Sequence, residues 1–266
     1  MHPVFDVFGK EIPAYGLMIV TGVVCANLIA YVLLRRKGLN IYDLMILEGY
    51  AFLSAFAGAK ILYLIVSTGE IDWFRMTDPQ YAMPYLRGGF VFYGGLLGGL
   101  LGGVLAGRLH GIAWRRYLEE VTFLIPLAHA FGRVGCFLAG CCYGCAWNGV
   151  LAVRYPAGGI APHTHTLFPV QAAEALLLAF LLLTGLLLQH VRGMRHPLRL
   201  YLAAYAVIRF ALEYVRADAA RGGFGVLSTS QWVSVAMLCV LTLRAVFPQR
   251  QEAVRENAVK NEYEIS

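Results

Sequence analysis

Seven stretches of the chain are apolar enough and long enough to cross a bilayer as α-helices. A membrane-spanning helix needs roughly 20 apolar residues, and each stretch runs about that far before a basic cluster or a Gly/Pro-rich turn ends it. The predicted spans are residues 14–34, 45–66, 90–107, 121–140, 170–189, 199–216 and 230–247. The pattern therefore predicts an all-α, polytopic integral membrane protein with about seven transmembrane helices.

The placement of lysine and arginine predicts how these helices are oriented. The loops on one side, with the C-terminal tail, carry thirteen such residues, and the loops on the other side carry six. Because positively charged loops stay in the cytoplasm, we expect the N-terminus outside and the C-terminus in the cytoplasm. Residues 1–247 are predicted to form a single transmembrane helical domain, and residues 248–266 a polar cytoplasmic tail.

Composition excludes several classes of protein. The chain is 59% hydrophobic and only 14% charged, with a mean hydropathy of +0.62, whereas soluble domains carry about 25% charged residues. A soluble enzyme, a disordered chain and a nucleic-acid binder are therefore excluded. The net charge of +6 does not restore the nucleic-acid interpretation, because it follows the loops of a membrane topology.

Three cations lie well inside the predicted spans, away from their ends: Lys60 in the second, Arg133 in the fourth and Arg209 in the sixth. A charge in the bilayer costs roughly 2.5–3.5 kcal/mol on insertion scales and marks a functional site by default. The planar guanidinium group suits bidentate binding of phosphate. Since a lipid headgroup phosphate is the anion available at that depth, the two arginines predict a phospholipid site.

A polar stripe accompanies Arg209 along the sixth span. Tyr205, Arg209, Glu213 and Arg216 share helical spacing and are predicted to lie on one helix face. Glu213 is within reach of both arginines on such a face and could orient them. A structural ion pair that fixes helix packing remains the alternative.

Glycines and cysteines form two further patterns. The pairs Gly94/Gly95, Gly98/Gly99 and Gly102/Gly103 recur every four residues in the third span, which favours close helix packing over chemistry. Four cysteines, Cys136, Cys141, Cys142 and Cys145, cluster at the outer end of the fourth span. Apolar packing, a disulfide, a metal site and a reactive thiol all remain open for them, although only one CxxC pair has metal-ligand spacing. The two histidines in PHTHT are expected to be solvated loop residues.

The segment GRVGCFLAGCCYG, residues 132–144, resembles the GR-x-G-x-F-x-x-G-x-x-x-G signature of bacterial prolipoprotein diacylglyceryl transferases. Other segments resemble the same family in the same order, over about residues 13–235. They are Pro13–Met18, Arg87–Gly89 with Tyr93–Gly95, Pro169–Gln171 with Glu174, the Tyr205–Arg216 stripe and Leu227–Gln231.

The resemblance implies an enzyme of lipoprotein biosynthesis in the bacterial cytoplasmic (inner) membrane. It would transfer a diacylglyceryl group from phosphatidylglycerol to the lipobox cysteine thiol of a prolipoprotein signal peptide, and release glycerol-1-phosphate. Arg133 and Arg209 match the family's essential arginines, and Tyr15 and Tyr205 match tyrosines of its lipid site. The predicted phospholipid-binding residues are Arg133, Tyr15, Tyr205, Glu213, Arg216 and Gln171. No metal and no organic cofactor is expected.

This chain departs from the family pattern at several positions. Tyr93 stands where many members carry a histidine proposed as the base, and Phe168 stands where many carry another. Cys136, Ala139 and Cys141 also replace polar residues of the signature. Tyr93 joins Arg133 and Arg209 in the predicted catalytic set, but as a hydrogen-bond donor to the headgroup, because the pKa of tyrosine is near 10 in reference peptides.

The implied chemistry is displacement at the glycerol C3 carbon by a thiolate. The arginines would stabilise the leaving phosphate, and their charge would favour the thiolate, so the group that takes the thiol proton stays open. Two other functions compete with transfer. A family paralogue with altered substrate or no catalysis would bind lipid without lipidating a thiol, and a membrane transporter would show uptake in vesicles.

Overall fold

A computed structural model describes residues 3–7, 9–157, 160–192, 194, 196–217 and 223–246 of the 266-residue chain. These residues form two compact units. The first contains the described residues up to Ile29 and those from Thr122 onward, and the second is Ala30–Val121. The predicted tail, residues 248–266, lies outside the described residues, as do Arg195 and Arg221, which entered the count of loop charges.

The described part of the chain is mostly α-helical, as predicted. Its helices are α1 (Ala14–Arg36), α2 (Ile41–Val66), α3 (Pro79–Arg87), α4 (Phe92–His110), α5 (Trp114–Val121), α6 (Ile125–Ala139), α7 (Val170–Arg192), α8 (Pro197–Leu212) and α9 (Thr229–Val246). Two small antiparallel hairpins accompany them: β1 (Val4–Val7) with β2 (Lys10–Pro13), and β3 (Gly223–Phe224) with β4 (Leu227–Ser228).

Six segments within the described residues are long and apolar enough to cross a membrane. They are α1, α2, α4, the run Trp114–Ala139 that contains α5 and α6, Val170–Val191 of α7, and α9. Large apolar side chains on these helices stay exposed, such as Leu28 at 65% and Leu53 at 71%, as expected of lipid-facing surfaces. The polytopic membrane character is confirmed.

The sixth predicted span, residues 199–216, is shorter than expected. Helix α8 has 16 residues, which gives about 24 Å of helix against a hydrocarbon core of about 30 Å. The chain then enters a 3₁₀ turn, Glu213–Val215, and Arg216 has extended backbone and forms a β-bridge with Gly144. The prediction that Arg216 continues the helical stripe is therefore wrong, because its extended backbone pairs with Gly144. Glu213 keeps helical backbone angles and its place four residues after Arg209.

In the second unit, α2 and α4 pack with their backbones almost in contact. A Cβ atom added at Gly94 would collide with the carbonyl oxygen of Gly58, and one at Gly98 would collide with that of Ser54. A Cβ at Gly102 would meet the Ser54 side chain. The predicted packing role of the glycine repeat is confirmed, since only glycine allows this approach.

Lys60 has a structural explanation in the same unit. Its Nζ atom donates to the carbonyl oxygens of Tyr85 and Gly88, each at 2.5 Å. The ammonium also lies 4.8 Å from the ring centroid of Phe90. Lys60 thus ties α2 to the segment that precedes α4, and its charge is taken up by carbonyl dipoles and an aromatic face.

In the first unit, small residues bring helices together around the signature segment. Phe123 is fully buried and occupies the space that a side chain at Gly185 of α7 would need. A Cβ atom at Gly135 of α6 would lie 3.0 Å from the Cα atom of Tyr15. Helix α1 therefore passes close to α6 two residues beyond Arg133.

Candidate active site

A fully buried carboxylate, Glu174, is the centre of the charged cluster in the first unit. It lies on the first turns of α7 with 0% of its side chain exposed. One carboxylate oxygen, Oε1, is 3.0 Å from Nε of Arg133 on α6. The other, Oε2, is 3.4 Å from Nη1 of Arg216. Two cations from separate elements thus compensate a charge that would be very costly to bury alone.

Two polar rings complete the surroundings of Glu174. The Tyr205 hydroxyl donates to Oε1 at 3.5 Å, and Nε2 of His129 lies 3.7 Å from the same oxygen. The two rings meet edge to face, with centroids 5.3 Å apart. The Tyr205 hydroxyl and Nε of Arg133 thus approach the same carboxylate oxygen, so this predicted lipid-site tyrosine and Arg133 occur together, as expected from the sequence.

Arg209 is held by residues at the end of α8 and the start of α9. Its Nη1 atom is 2.6 Å from Oε2 of Glu213, and its Nη2 atom donates to Ser230 Oγ at 2.9 Å. The prediction that Glu213 pairs with Arg209 is confirmed. The long-range ion pair of Arg216, however, is with Glu174, which the helical-stripe interpretation did not anticipate.

The cluster has an excess of positive charge. Three guanidinium groups, those of Arg133, Arg209 and Arg216, accompany the two carboxylates of Glu174 and Glu213. The arginines differ in access: the exposed side-chain fraction is 16% for Arg133 and 2% for Arg216. Arg133 is therefore the better placed of these two to meet an anion that enters the cluster.

Tyr15 lies near this cluster on the first turn of α1. It is 45% exposed, and the electrostatic neighbours of its phenol include Arg133 and Cys136. The close approach of α1 to α6 at Gly135 produces this neighbourhood. The structure thus brings Tyr15, Tyr205, Arg133 and Arg209 into one unit, and their contacts with lipid stay a prediction.

Gln171 is fully buried and fixes the loop that follows α6. Its Nε2 atom donates to the carbonyl oxygen of Cys141 at 2.7 Å and to the hydroxyl of Tyr155 at 3.0 Å. Burial raises the pKa of Tyr155 above its ordinary value. These contacts give Gln171 a positioning role, while its predicted binding of phospholipid stays a prediction.

Tyr93 belongs to the other unit, where it is the second residue of α4. Its ring packs edge to face with that of Phe92, with centroids 5.7 Å apart. Its predicted catalytic role therefore stays a prediction. His163 and His165 are exposed in the loop between α6 and α7, as expected of solvated residues.

Three of the four clustered cysteines meet. The Sγ atoms of Cys136, Cys141 and Cys142 all lie within 4.8 Å of one another, and every cysteine of the chain is a free thiol in this structure. Hydrogen bonds from the Cys136 and Cys141 thiols, together with the charges of Arg216 and Arg133, lower the pKa of the Cys142 thiol.

The charged residue that sequence reasoning left out of the site is Glu174. A signal for it existed, because a lone acid near the start of the apolar run 170–188 is as costly as the arginines that were singled out. His129, four residues before Arg133 in the same span, was missed as well. Glu174 was noted only within a segment that resembles the family, and His129 matched no motif. Only the fold brings both residues to Arg133.

These features define a polytopic helical membrane protein with a buried arginine–carboxylate cluster beside a group of free thiols. Comparison with known proteins supplies the family: residues 3–247 match the family model described as prolipoprotein diacylglyceryl transferase. The match covers most of the chain, so the chain belongs to that family, and the resemblance seen in residues 132–144 is confirmed.

Curated transferases are similar to this chain over nearly its whole length. A phosphatidylglycerol–prolipoprotein diacylglyceryl transferase 2 from Clostridium perfringens is 34% identical over 240 residues, which covers 88% of this chain and 90% of the relative. The corresponding transferase from Clostridium tetani is 32% identical, over 90% of this chain and 95% of the relative. One from Vibrio vulnificus is 30% identical, over 90% and 88%.

Proposed function

We propose that this protein transfers a diacylglyceryl group from phosphatidylglycerol to the lipobox cysteine thiol of prolipoproteins. The observation that carries the proposal is the buried cluster of three arginines around Glu174 and Glu213, in a chain of the matching family. Its net positive charge suits the phosphate of an anionic lipid. The exposed apolar surfaces of its helices suit the acyl chains.

In this reaction the thiolate sulfur forms a bond to the glycerol C3 carbon of the lipid. The bond between C3 and its phosphate oxygen breaks, the electron pair leaves with glycerol-1-phosphate, and the thiol proton passes to solvent. Negative charge grows on the phosphate as the bond breaks. Fixed guanidinium groups aimed at that phosphate lower the barrier, because they need not reorganise when the charge develops.

The arginines divide this work according to their access and their partners. Arg133 retains the greater exposure of the two Glu174 partners and contacts the phosphate. Arg209, fixed by Glu213 and Ser230, is the second phosphate ligand. Arg216 and Glu174 act as positioning residues, since Glu174 sets the direction of the Arg133 side chain.

The remaining predicted residues have separate roles. Tyr15 and Tyr205 offer hydroxyl groups beside the arginines, and the role of Tyr93 as a hydrogen-bond donor to the headgroup rests on the family resemblance alone. Gln171 supports the loop that carries Cys141. We also propose seven crossings in the bacterial inner membrane, with the N-terminus outside and the C-terminus in the cytoplasm. In that topology α8, extended by its 3₁₀ turn, crosses as the sixth span.

The direct test uses purified protein in detergent with phosphatidylglycerol and a synthetic lipobox peptide. We expect a peptide whose mass has increased by one diacylglyceryl group in thioether linkage, together with released glycerol-1-phosphate. A peptide with serine in place of the lipobox cysteine is the control and should stay unmodified. Lipid binding without any thioether product would contradict the proposal and favour a non-catalytic family member.

A further inference from the structure

The thiols of Cys136, Cys141 and Cys142 have the spacing of a metal-ligand set. Their Sγ atoms lie within 4.8 Å of one another. Three sulfurs bound to one zinc-class ion at about 2.3 Å lie roughly 3.8 Å apart. Small side-chain movements therefore suffice to bring all three onto one ion.

The backbone conformation at the end of α6 brings these three thiols together. Helix α6 ends at Gly140 in the left-handed conformation, with φ of +72°. The Cys141 amide then donates to the Cys136 carbonyl oxygen at 3.1 Å. Cys142 itself has φ of +57°, which is uncommon for a residue with a side chain. Backbone strain of this kind concentrates at functional sites, whereas simple apolar packing does not require it.

The surroundings suit a soft cation held by thiolates. Three thiolates and one divalent ion carry a net charge of minus one. Two cations lie nearby to compensate it. Arg216 is bridged to Gly144, two residues beyond Cys142, and Arg133 lies one turn before Cys136 on α6. Thiolate ligands select zinc-like or copper(I)-like ions over hard cations. Cys136 is buried, while Cys141 and Cys142 are half-buried.

We propose that Cys136, Cys141 and Cys142 bind a thiophilic cation of the zinc class, with one coordination position open to an incoming thiol. The spacing in the sequence argued against a metal because it lacks two separated CxxC pairs. The left-handed turn at Gly140 supplies the geometry instead, since it folds Cys141 and Cys142 back over Cys136.

The open position gives the metal a role in catalysis, and this part rests on the proposed function. Catalytic zinc sites keep three protein ligands and one exchangeable position, and a thiol that coordinates such an ion loses its proton. The lipobox thiol would bind there as thiolate and release its proton to solvent. Its sulfur would then attack the lipid C3 carbon near Arg133. The metal would thus deprotonate the thiol, which is the task proposed for the histidine that many family members carry where this chain has Tyr93.

The test begins with cobalt(II) as the probe, added to full-length, reduced, metal-free protein in detergent. We expect one equivalent to produce thiolate-to-cobalt charge-transfer absorption, and zinc(II) to displace it. Cys142→Ser should weaken cobalt binding by about tenfold or more. Cys145→Ser is the matched control, because it removes a thiol of the same loop outside the three-cysteine group, and should bind as wild type does. Absence of the absorption, or equal binding by Cys142→Ser, would overturn the site.

A second arm adds lipobox peptide to the cobalt-loaded protein. The cysteine peptide should intensify the charge-transfer absorption, and its serine counterpart should not. An unchanged spectrum from a preparation that still transfers diacylglyceryl groups overturns the thiol-binding role and leaves the proposed function intact. A responsive spectrum without any transfer has the opposite meaning: the metal site stands and the proposed function fails.

Discussion

The two units of this protein solve the problem of charge in a membrane in different ways. In Ala30–Val121, the ammonium group of Lys60 is fully engaged in hydrogen bonds to backbone carbonyl oxygens, among them those of Tyr85 and Gly88. Glycines bring the helices of this unit together. In the other unit, Arg133 pairs with a carboxylate and keeps part of its side chain exposed. A buried cation is therefore not enough to indicate a site. What matters is whether its partners leave it able to receive a ligand.

The largest effect should follow from loss of the central carboxylate. Glu174→Gln leaves Arg133 and Arg216 without their counter-charge, and breaking a buried ion pair costs roughly 3–5 kcal/mol. We expect a large fall in thermal stability in detergent together with loss of transfer. Glu70→Gln, at an exposed loop position, should change stability by less than about 0.5 kcal/mol. Equal stability of the two variants would refute the central role of Glu174.

Substitution of Lys60 should have the next largest effect on stability. It tests whether this cation has a structural role only, in contrast to Arg133. Lys60→Met removes the three hydrogen bonds that Nζ donates, to the carbonyl oxygens of Tyr85, Gly88 and Gly89, and should cost about 3 kcal/mol, since charge-assisted bonds contribute roughly 1.5–3 kcal/mol each. The activity that remains should follow the folded fraction, measured by thermal unfolding. A fully folded Lys60→Met protein without transfer activity would instead place Lys60 in the chemistry.

Alanine substitutions at two glycines of α4 should change the free energy of unfolding differently, because only one of them packs against α2. Gly98→Ala forces a methyl group onto the carbonyl oxygen of Ser54 and should cost about 1–3 kcal/mol. Gly103→Ala adds a methyl group with nothing within 4 Å and should be neutral or stabilising by up to about 1 kcal/mol. Thermal unfolding of the two variants side by side measures the difference, and equal melting temperatures would contradict the packing geometry.

The smallest effect concerns the loop support in the first unit. Tyr155→Phe removes the hydroxyl that exchanges hydrogen bonds with the side chain of Gln171 at the start of α7 and should cost about 1 kcal/mol in thermal stability. We expect transfer to continue at a reduced rate, since the second bond of Gln171, to the Cys141 carbonyl, remains. A Tyr155→Phe protein with wild-type stability would show that this hydrogen bond does not support the loop.

Local features of the fold could be predicted from the sequence, and tertiary pairings could not. The apolar runs and the Gly94–Gly103 repeat are local patterns, so their helices and their packing were predicted. Arg133 and Arg209 were singled out because a charge in an apolar run is costly wherever it lies. Glu174 pairs with Arg216 from far along the chain, and no spacing rule joins them.

The same reason explains the error at the end of α8, and it also explains why residue spacing alone did not bring the three thiols together. A helical spacing placed Arg216 on one stripe with Glu213, but a β-bridge to Gly144 ends the helix first. The metal interpretation of the cysteines was disfavoured on spacing alone. The left-handed conformation at Gly140 and Cys142 brings the three thiols together, and that conformation cannot be read from residue spacing.

The measurement that tests the central claim most directly is diacylglyceryl transfer by Arg133→Ala. Arg154→Ala serves as control, because Arg154 is an exposed arginine in the loop between α6 and α7. We expect Arg133→Ala to lose about 100-fold or more in transfer rate, as when one fixed donor to a developing anion is removed. The variant should still show a cooperative thermal unfolding transition in detergent, which demonstrates that it is folded. Arg154→Ala should keep wild-type activity. Equal transfer rates for the two variants would contradict the account, since Arg133 would then not be the residue that meets the lipid phosphate.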